Sequence, residues 1–266
     1  MTILGSEFHG RCLVVAHRGA SSEQPENTLA AFEAALQVGA DVVELDVRLT
    51  ADGVPVVLHD PDVSATTDGS GFVHELTLSE IKRLDASVGR SSREEVPALA
   101  EALELIGRLG GAVDLEIKNL PGEPAFDSPR ESVLLATLEA LEAASFGGEA
   151  LVSSFNWLTI ERSKELAPDL PTGFLTIAAI DPRAALVYVT QHGHEFVLPQ
   201  TPALLDAGEE FVREARAEGV RVGTWVADDE DLLTTLFAWG VDAVASNDPA
   251  KAVALRDRAP AREPPQ

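Results

Sequence analysis

Cysteine is nearly absent from this sequence, which contains Cys12 and no other. A single cysteine excludes an intramolecular disulfide. Basic residues are also scarce: 20 Lys and Arg stand against 44 Asp and Glu, for a formal net charge of −24. This acidity argues against a nucleic-acid partner and against electrostatic docking on anionic lipid. An anionic substrate therefore requires local positive charge where it binds.

Long apolar runs are missing as well. No segment approaches the ~20 consecutive apolar residues of a membrane-spanning helix, so we expect no stable membrane insertion. The first ten residues have neither the cationic start nor the apolar stretch of a secretory signal peptide. These features predict a cytoplasmic protein, and they leave its oligomeric state open.

Apolar strand patterns alternate with amphipathic helix patterns along most of the chain. Between residues 13 and 257 the pair recurs eight times, with no break for a second domain and no Gly-rich dinucleotide turn after the first strand. This count favours a single-domain (β/α)8 TIM barrel over an open doubly wound sheet. Residues 1–12 are then an N-terminal extension, 61–97 a lid-like insertion after the hairpin of the second strand, and 258–266 a disordered tail.

The second strand, Val42–Val47, carries two carboxylates in an apolar run. Side chains alternate between the faces of a strand, so Glu44 and Asp46 point the same way. Two like charges side by side repel each other unless a cation lies between them. A solvated strand end is the alternative interpretation, and the apolar neighbours of the pair disfavour it.

A tight turn follows this strand at Asp52-Gly53. That dipeptide is a strong signal for a two-residue hairpin loop. In the resulting register Asp46 pairs with His59, so the hairpin brings a histidine close to the two carboxylates. A one-residue slip would change the pairing but keep the histidine in the neighbourhood.

Two other strands also end in polar side chains. His17 and Arg18 end the first strand, and Glu116 and Lys118 share a face where the strand beginning at Ala112 ends. Active residues of a (β/α)8 barrel lie at the C-terminal ends of its strands. Adjacent strands therefore bring two histidines, two cations and three carboxylates to one mouth. Ion-paired scaffolding explains each of these residues singly, but explains the whole set poorly.

Three carboxylates without a cysteine or a histidine cluster are typical of a hard-cation site. Oxygen ligands suit Mg²⁺ or Ca²⁺ better than Zn²⁺. Such a divalent metal beside Arg18 and Lys118 forms a receptacle for a phosphate group. The two histidines, His17 and His59, can supply a general acid and a general base.

These motifs resemble the glycerophosphodiester phosphodiesterase family. The similarity extends over about residues 13–250 and is most specific in the N-terminal half. It is carried by segments 17–19, 25–32, 44–47, 50–53, 59–60 and 115–118, with further matches at 154–155, 225 and 242–249. The resemblance implies a (β/α)8 barrel that hydrolyses phosphodiesters to an alcohol and a phosphomonoester with a divalent metal.

Carried over by position, the resemblance assigns the metal and the proton transfers. It makes Glu44, Asp46 and Glu116 the metal ligands. It makes His17 and His59 the catalytic acid–base pair, without indicating which is the acid.

The resemblance also assigns contacts to the substrate. Arg18 and Lys118 contact the phosphate, and Trp225 lines the substrate wall unless it is a core residue. Asn27 either orders the first loop or caps the following helix.

The insertion departs from the family pattern. Ala65 stands where relatives often have an arginine, and segment 61–97 is short and charged. His74, within it, is either solvated or in contact with substrate. These departures concern the identity of the substrate and leave the reaction class unchanged.

We therefore expect metal-dependent hydrolysis of glycerophosphodiesters, small-molecule substrates such as glycerophosphocholine, to an alcohol and glycerol 3-phosphate. A phospholipase D-like action on lysophospholipids is the enzymatic alternative; it needs an apolar groove at the mouth, and the net charge disfavours it. A catalytically silent barrel that binds phosphate or metal is the non-enzymatic alternative. The presence of both His17 and His59 argues against it.

Overall fold

The computed structural model describes residues 3–4, 10–87, 89 and 92–258. In these segments strands and helices alternate. The strands are β1 (Leu13–His17), β2 (Val42–Leu49), β3 (Pro55–Val57), β4 (Ala112–Ile117), β5 (Ala150–Ser154), β6 (Thr172–Thr176), β7 (Phe196–Pro199), β8 (Arg221–Thr224) and β9 (Ala243–Ser246). The α-helices are α1 (Leu29–Gln37), α2 (Leu78–Ile81), α3 (Leu99–Arg108), α4 (Ser132–Ala144), α5 (Trp157–Leu166), α6 (Pro182–His192), α7 (Thr201–Ala217), α8 (Glu230–Trp239) and α9 (Pro249–Arg256).

Eight of the strands form a closed parallel barrel. Their order is β1-β9-β8-β7-β6-β5-β4-β2, and a further pairing of β1 with β2 closes the ring. Parallel strands covered on both faces are expected to be continuously buried, and β4 is buried at every position. The predicted (β/α)8 barrel is therefore confirmed.

The interior of the barrel changes character along its axis. Near the N-terminal ends of the strands it is filled by apolar side chains such as Leu13, Leu151 and Phe196. Towards the C-terminal ends, the inward positions of β2 are Glu44 and Asp46, both buried. Buried charges are costly unless they are paired or bind a cation. The carboxylates at this end of the barrel therefore indicate a functional site.

The hairpin after β2 differs from the prediction by one residue. Leu49 pairs with Pro55, and the loop contains three residues, because the amide of Thr50 donates to the carbonyl of Val54 at 3.1 Å. A two-residue type I′ loop needs positive φ at both central positions, but in Asp52-Gly53 it is Gly53 that takes a φ of +78°. The predicted pairing of Asp46 with His59 is therefore wrong, although the amide of Leu58, next to His59, still donates to the Asp46 carbonyl at 2.9 Å.

The insertion packs against this hairpin. The amide of Ala51 donates to the carbonyl of Leu76 at 2.8 Å, and the amide of Val57 donates to that of Pro97 at 2.9 Å. A small apolar cluster holds the insertion together: Val56, Leu58, Val63, Val73, Ile81, Ala86 and Val96. Its predicted action as a lid stays a prediction.

The predicted terminal segments are only partly described. Most of the extension 1–12 and residues 259–266 of the predicted tail lie outside the described residues. Leu4 is buried among the apolar side chains inside the barrel, and its amide donates to Glu149 at 2.7 Å. Within the described segments, no helix combines the length and apolar character needed to cross a membrane.

Candidate active site

Three carboxylates from two neighbouring strands meet at the mouth. In the parallel ladder of β2 and β4, Asp46 lies beside Glu116, and Glu44 is two residues before Asp46. All three are buried, and each offers an oxygen within 4.8 Å of the others. Oxygen Oε1 of Glu44 has no hydrogen-bond partner in the described part of the chain. This all-oxygen donor set fits a hard divalent cation such as Mg²⁺ or Ca²⁺.

Two cations lie against the carboxylates. The ammonium of Lys118 is 2.9 Å from Asp46 and also forms an ion pair with Glu116. The guanidinium of Arg18 is 3.3 Å from Asp46 and 2.9 Å from Glu26. The Lys118 side chain is 2% exposed and the Arg18 side chain 19%, so both charges act where solvent screening is weak.

The carboxylates of the cluster are electrostatically unequal. Burial raises the pKa of Glu44 well above its ordinary value, and the charges of Asp46 and Glu116 raise it further. Burial also raises the pKa of Glu116, although Lys118 opposes it. For Asp46 burial acts in the same direction, but Lys118 and Arg18 outweigh it and hold this pKa below its ordinary value. Repulsion among the three carboxylates is thus greatest at Glu44, where an additional positive charge would stabilise the cluster most.

The sharp turn after β1 places Arg18 over β2. Arg18 itself has a φ of +58° and Gly19 a φ of +80°. A Cβ on Gly19 would lie 2.6 Å from the carbonyl carbon of Ala31, so glycine permits this loop to pack on α1. The amide of Arg18 then donates to Glu44 at 2.8 Å.

Asn27 orders this loop. Its amide nitrogen donates to Asp46 at 2.7 Å, and the backbone amide of Asp46 donates back to the side-chain oxygen of Asn27 at 3.3 Å. The cap of α1 is Thr28, which accepts from the amide of Ala31. Of the two interpretations of Asn27, the geometry supports the first.

His17 reaches the mouth from the end of β1. Its Nδ1 is 2.8 Å from Oδ1 of Asn247, the residue that follows β9. Burial lowers the pKa of His17, and the nearby charge of Arg18 lowers it further. The ring is therefore neutral over a wider pH range than a free histidine.

His59 is held through its backbone. Nε of Arg48 donates to the carbonyl of His59 at 2.7 Å, and the same guanidinium binds Glu123 through two bonds of 2.7 and 3.1 Å. Nδ1 of His59 lies 3.0 Å from Asp60. Burial and then the charge of Lys118 lower the pKa of His59.

A cavity of about 50 Å³ lies inside the barrel, next to the carboxylate cluster. Its lining includes His17, Glu44 and Glu116, with Trp225 as part of its apolar wall. The indole of Trp225 donates to the carbonyl of Leu198 at 3.0 Å and meets Phe155 edge to face at 5.2 Å. Trp225 therefore lines this cavity, and its predicted contact with substrate stays a prediction.

The structure brings the predicted residues together: Glu44, Asp46, Glu116, His17, His59, Arg18, Lys118 and Trp225 all lie at the C-terminal end of the barrel. Sequence reasoning missed Arg48, Asp114 and Asn247. Arg48 and Asp114 continue the two-residue alternation of Glu44–Asp46 and Glu116–Lys118, so strand periodicity was a usable signal. Burial raises the pKa of Asp114, in the cavity lining, to about 7.

Comparisons with known proteins find similar sequences and similar folds. The model of the glycerophosphoryl diester phosphodiesterase family matches residues 17–251. A glycerophosphodiester phosphodiesterase of Caldanaerobacter subterraneus subsp. tengcongensis is 36% identical over 250 residues, which cover 92% of this chain and 98% of the relative. A second glycerophosphodiester phosphodiesterase, from Bacillus subtilis, is 31% identical, and the alignment covers 90% of this chain and 84% of the relative. A solved phosphodiesterase of Oleispira antarctica, in complex with the product sn-glycerol-3-phosphate, has a TM-score of 0.83 at 32% identity and covers 93% of this chain and 97% of that one.

Proposed function

The chain belongs to the glycerophosphoryl diester phosphodiesterase family and hydrolyses glycerophosphodiesters, and we propose that it does so by metal-dependent general acid–base catalysis. The products are an alcohol and glycerol 3-phosphate. The observation that carries the proposal is the convergence of three buried carboxylates, two cations and two histidines on one mouth. The product bound to the Oleispira antarctica phosphodiesterase supports the choice of glycerol 3-phosphate.

Charge matching supports the metal. Glu44, Asp46 and Glu116 would hold a divalent cation, which when bound polarises a phosphoryl oxygen as a Lewis acid. When ionised, the three carboxylates outnumber Arg18 and Lys118 by one negative charge, and Glu26, paired with Arg18 at 2.9 Å, adds another. A divalent cation would offset this excess of negative charge, which otherwise repels an anionic phosphodiester.

The two histidines would carry the protons. During hydrolysis the oxygen of water bonds to phosphorus while the bond from phosphorus to the head-group oxygen breaks. The water loses a proton to one histidine, and the departing alkoxide takes a proton from the other. His17 and His59 arrive from different segments of the chain, beside the cations that offset the charge of the phosphate. This arrangement argues against a catalytically silent barrel.

One observation favours a second candidate, the phospholipase D-like hydrolysis of lysophospholipids. Apolar side chains are exposed just beyond two neighbouring strands at the mouth: Trp157 after β5 is 54% exposed and Ile177 after β6 is 51% exposed. An acyl chain could pack on such side chains. The net charge of −24 opposes association with anionic lipid.

A substrate panel tests the proposed function. The purified protein is assayed with glycerophosphocholine, glycerophosphoethanolamine and lysophosphatidylcholine, with Mg²⁺, Ca²⁺ and Mn²⁺ supplied separately after chelator treatment. We expect release of glycerol 3-phosphate from the two water-soluble diesters. Faster turnover of the lysolipid would favour the second candidate. No turnover under any condition would favour the non-enzymatic alternative, a barrel that binds phosphate or metal.

Lys118 should matter for the reaction as well as for the ion pairs. If its ammonium meets charge that develops on the phosphate in the transition state, Lys118→Met should lower kcat/KM by roughly 10²–10³. Steady-state kinetics on glycerophosphocholine, together with thermal unfolding, measure this effect and separate it from loss of structure. An unchanged kcat/KM would make Lys118 a partner of the carboxylates and nothing more.

A matched lysine serves as the control. Lys164 in α5 also forms an ion pair with a glutamate, Glu195, but this pair lies beside the start of β7, at the opposite end of the barrel. Lys164→Met removes the same kind of side chain and the same kind of ion pair. We expect it to lower stability without a comparable change in kcat/KM.

A further inference from the structure

A chain of hydrogen bonds runs from His17 away from the substrate cavity. Nδ1 of His17 lies 2.8 Å from Oδ1 of Asn247, and Nδ2 of Asn247 donates to Oδ2 of Asp228 at 2.7 Å. The other oxygen of Asp228 accepts from the backbone amide of Asn247 and from the hydroxyl of Ser246, each at 2.8 Å. The three residues come from separate segments: His17 is the last residue of β1, Asn247 follows β9 and Asp228 follows β8.

The donors and acceptors in this series of hydrogen bonds can be assigned from the chemistry of the groups alone. A carboxylate only accepts, so the side-chain atom of Asn247 that faces Asp228 must be its NH₂ group. The opposite atom, which faces His17, is then the carbonyl oxygen, and it also only accepts. Nδ1 of His17 must therefore carry the proton that is donated to Asn247. In the neutral ring this leaves the lone pair on Nε2.

We propose that Asn247, oriented by Asp228, is a positioning residue that fixes the Nδ1–H tautomer of His17 and presents Nε2 to the substrate cavity. The inference rests on the proposed proton-transfer role of His17 and extends it to two residues outside the cavity. A carboxylate in place of Asn247 could also hold Nδ1–H, but a neutral amide does so without adding a further negative charge beside Glu44, Asp46 and Glu116. Asp228 supplies the directionality that an amide alone lacks.

A purely structural role for Asn247 is the competing explanation. The backbone carbonyl of Asn247 accepts from the backbone amide of Ser22 at 2.9 Å and so connects the loop after β1 to the end of β9. That backbone contact survives replacement of the side chain. A side-chain variant keeps this bond but removes one from the hydroxyl of Ser21, which lies 3.0 Å from Oδ1 of Asn247. The His17→Ala background described next separates the two roles, because a loss that acts through the loop persists there.

The first experiment is a double-mutant cycle. Asn247→Leu keeps the approximate side-chain volume and removes the acceptor, so kcat on glycerophosphocholine should fall roughly 10–10²-fold, as for other residues that orient a functional histidine. KM should change little, because Asn247 acts through the ring. In a His17→Ala background the same replacement should change kcat less than about twofold, because the residue through which it acts is gone.

Asn156 provides the matched control. It is a buried asparagine at the same end of the barrel, after β5, and its side chain donates to the carbonyl of Asn119 at 2.8 Å. Asn156→Leu should lower stability, and any effect on kcat should persist in the His17→Ala background. If Asn247→Leu behaves like this control, or leaves kcat unchanged, the proposal is overturned.

A spectroscopic measurement tests the tautomer without depending on the Asn247 variant. In ¹⁵N-labelled wild-type protein, the ring signals of His17 are identified by their loss in His17→Ala, and their correlation pattern distinguishes a proton on Nδ1 from one on Nε2. We expect the Nδ1–H tautomer in the wild type and a mixture in Asp228→Asn, whose amide no longer forces the orientation of Asn247. An Nε2–H ring in the wild type would overturn the inference.

The two proposals fail in different ways. If His17→Ala keeps near wild-type activity, the proposed role of His17 is wrong, and the inference falls with it. If His17→Ala is strongly impaired while Asn247→Leu is not, the role of His17 stands and only the positioning by Asn247 is wrong.

Discussion

Chelation of divalent cations should abolish hydrolysis of glycerophosphodiesters, and adding back Mg²⁺, Ca²⁺ or Mn²⁺ should restore it. The physical reason is the self-repulsion of the acidic cluster, in which burial and the neighbouring charges of Asp46 and Glu116 raise the pKa of Glu44. The measurement is the rate of glycerol 3-phosphate release before and after chelator treatment. Full activity in metal-free protein would contradict the assignment of the cluster.

The same assignment predicts opposite effects on stability with and without metal. Without metal, Glu44→Gln should be at least as stable as the wild type, because it removes a repelling charge. With metal at about 100 times its dissociation constant, the wild type should gain about 2.7 kcal/mol. The variant should gain much less, since it has lost one of the three ligands.

A buried carboxylate outside the cluster is the control for this experiment. Glu131 is 1% exposed and accepts from the side chains of Asn119 and Thr159, each at 2.7 Å. Glu131→Gln weakens these bonds without touching the cluster, so it should lower stability equally with and without metal. A metal-dependent stability change in this variant as large as that in Glu44→Gln would show that the measurement does not report on the cluster.

Much of the site could be predicted because period-two alternation and parallel topology are properties of the sequence. Glu44 and Asp46 had to share a face once β2 was recognised, and so did Glu116 and Lys118 on β4. Since the barrel aligns the C-terminal ends of all its parallel strands, residues more than 60 positions apart in the chain were expected at the same mouth. The register of β2 and β4, with Asp46 beside Glu116, realises this expectation.

What escaped prediction depends on atomic detail that residue types do not encode. The hairpin register depended on whether both Asp52 and Gly53 took positive φ, as in a two-residue loop, or Gly53 alone, as in the three-residue loop observed. Asn247 directly precedes Asp248, the N-cap of α9, and its position in the sequence does not indicate a contact with His17. Its contact with His17 arises because β9 pairs with β1 on one side and β8 on the other, which the order of residues along the chain does not reveal.

Replacing either His17 or His59 with alanine should lower kcat by roughly 10²–10⁴, because each would transfer one of the two protons of the reaction. The two variants should diverge when the leaving group changes. A nitrophenyl phosphodiester releases a stable anion that needs little protonation, so the variant lacking the acid should recover most of its activity on this substrate. The variant lacking the base should not, because its water still has to lose a proton.

The contrast between substrates therefore identifies the acid. The sequence does not distinguish acid from base, and neither does the pKa, since burial lowers it in both rings. His192→Ala is the control: this histidine ends α6 and is 3.1 Å from Glu161, away from the carboxylate cluster, and its loss should leave both substrates unaffected. Equal impairment of His17→Ala and His59→Ala on both substrates would mean that the protons are not divided between them. Near wild-type turnover of glycerophosphocholine by either variant would remove that histidine from the reaction, and the other would then have to accept the proton of the water and return it to the alcohol.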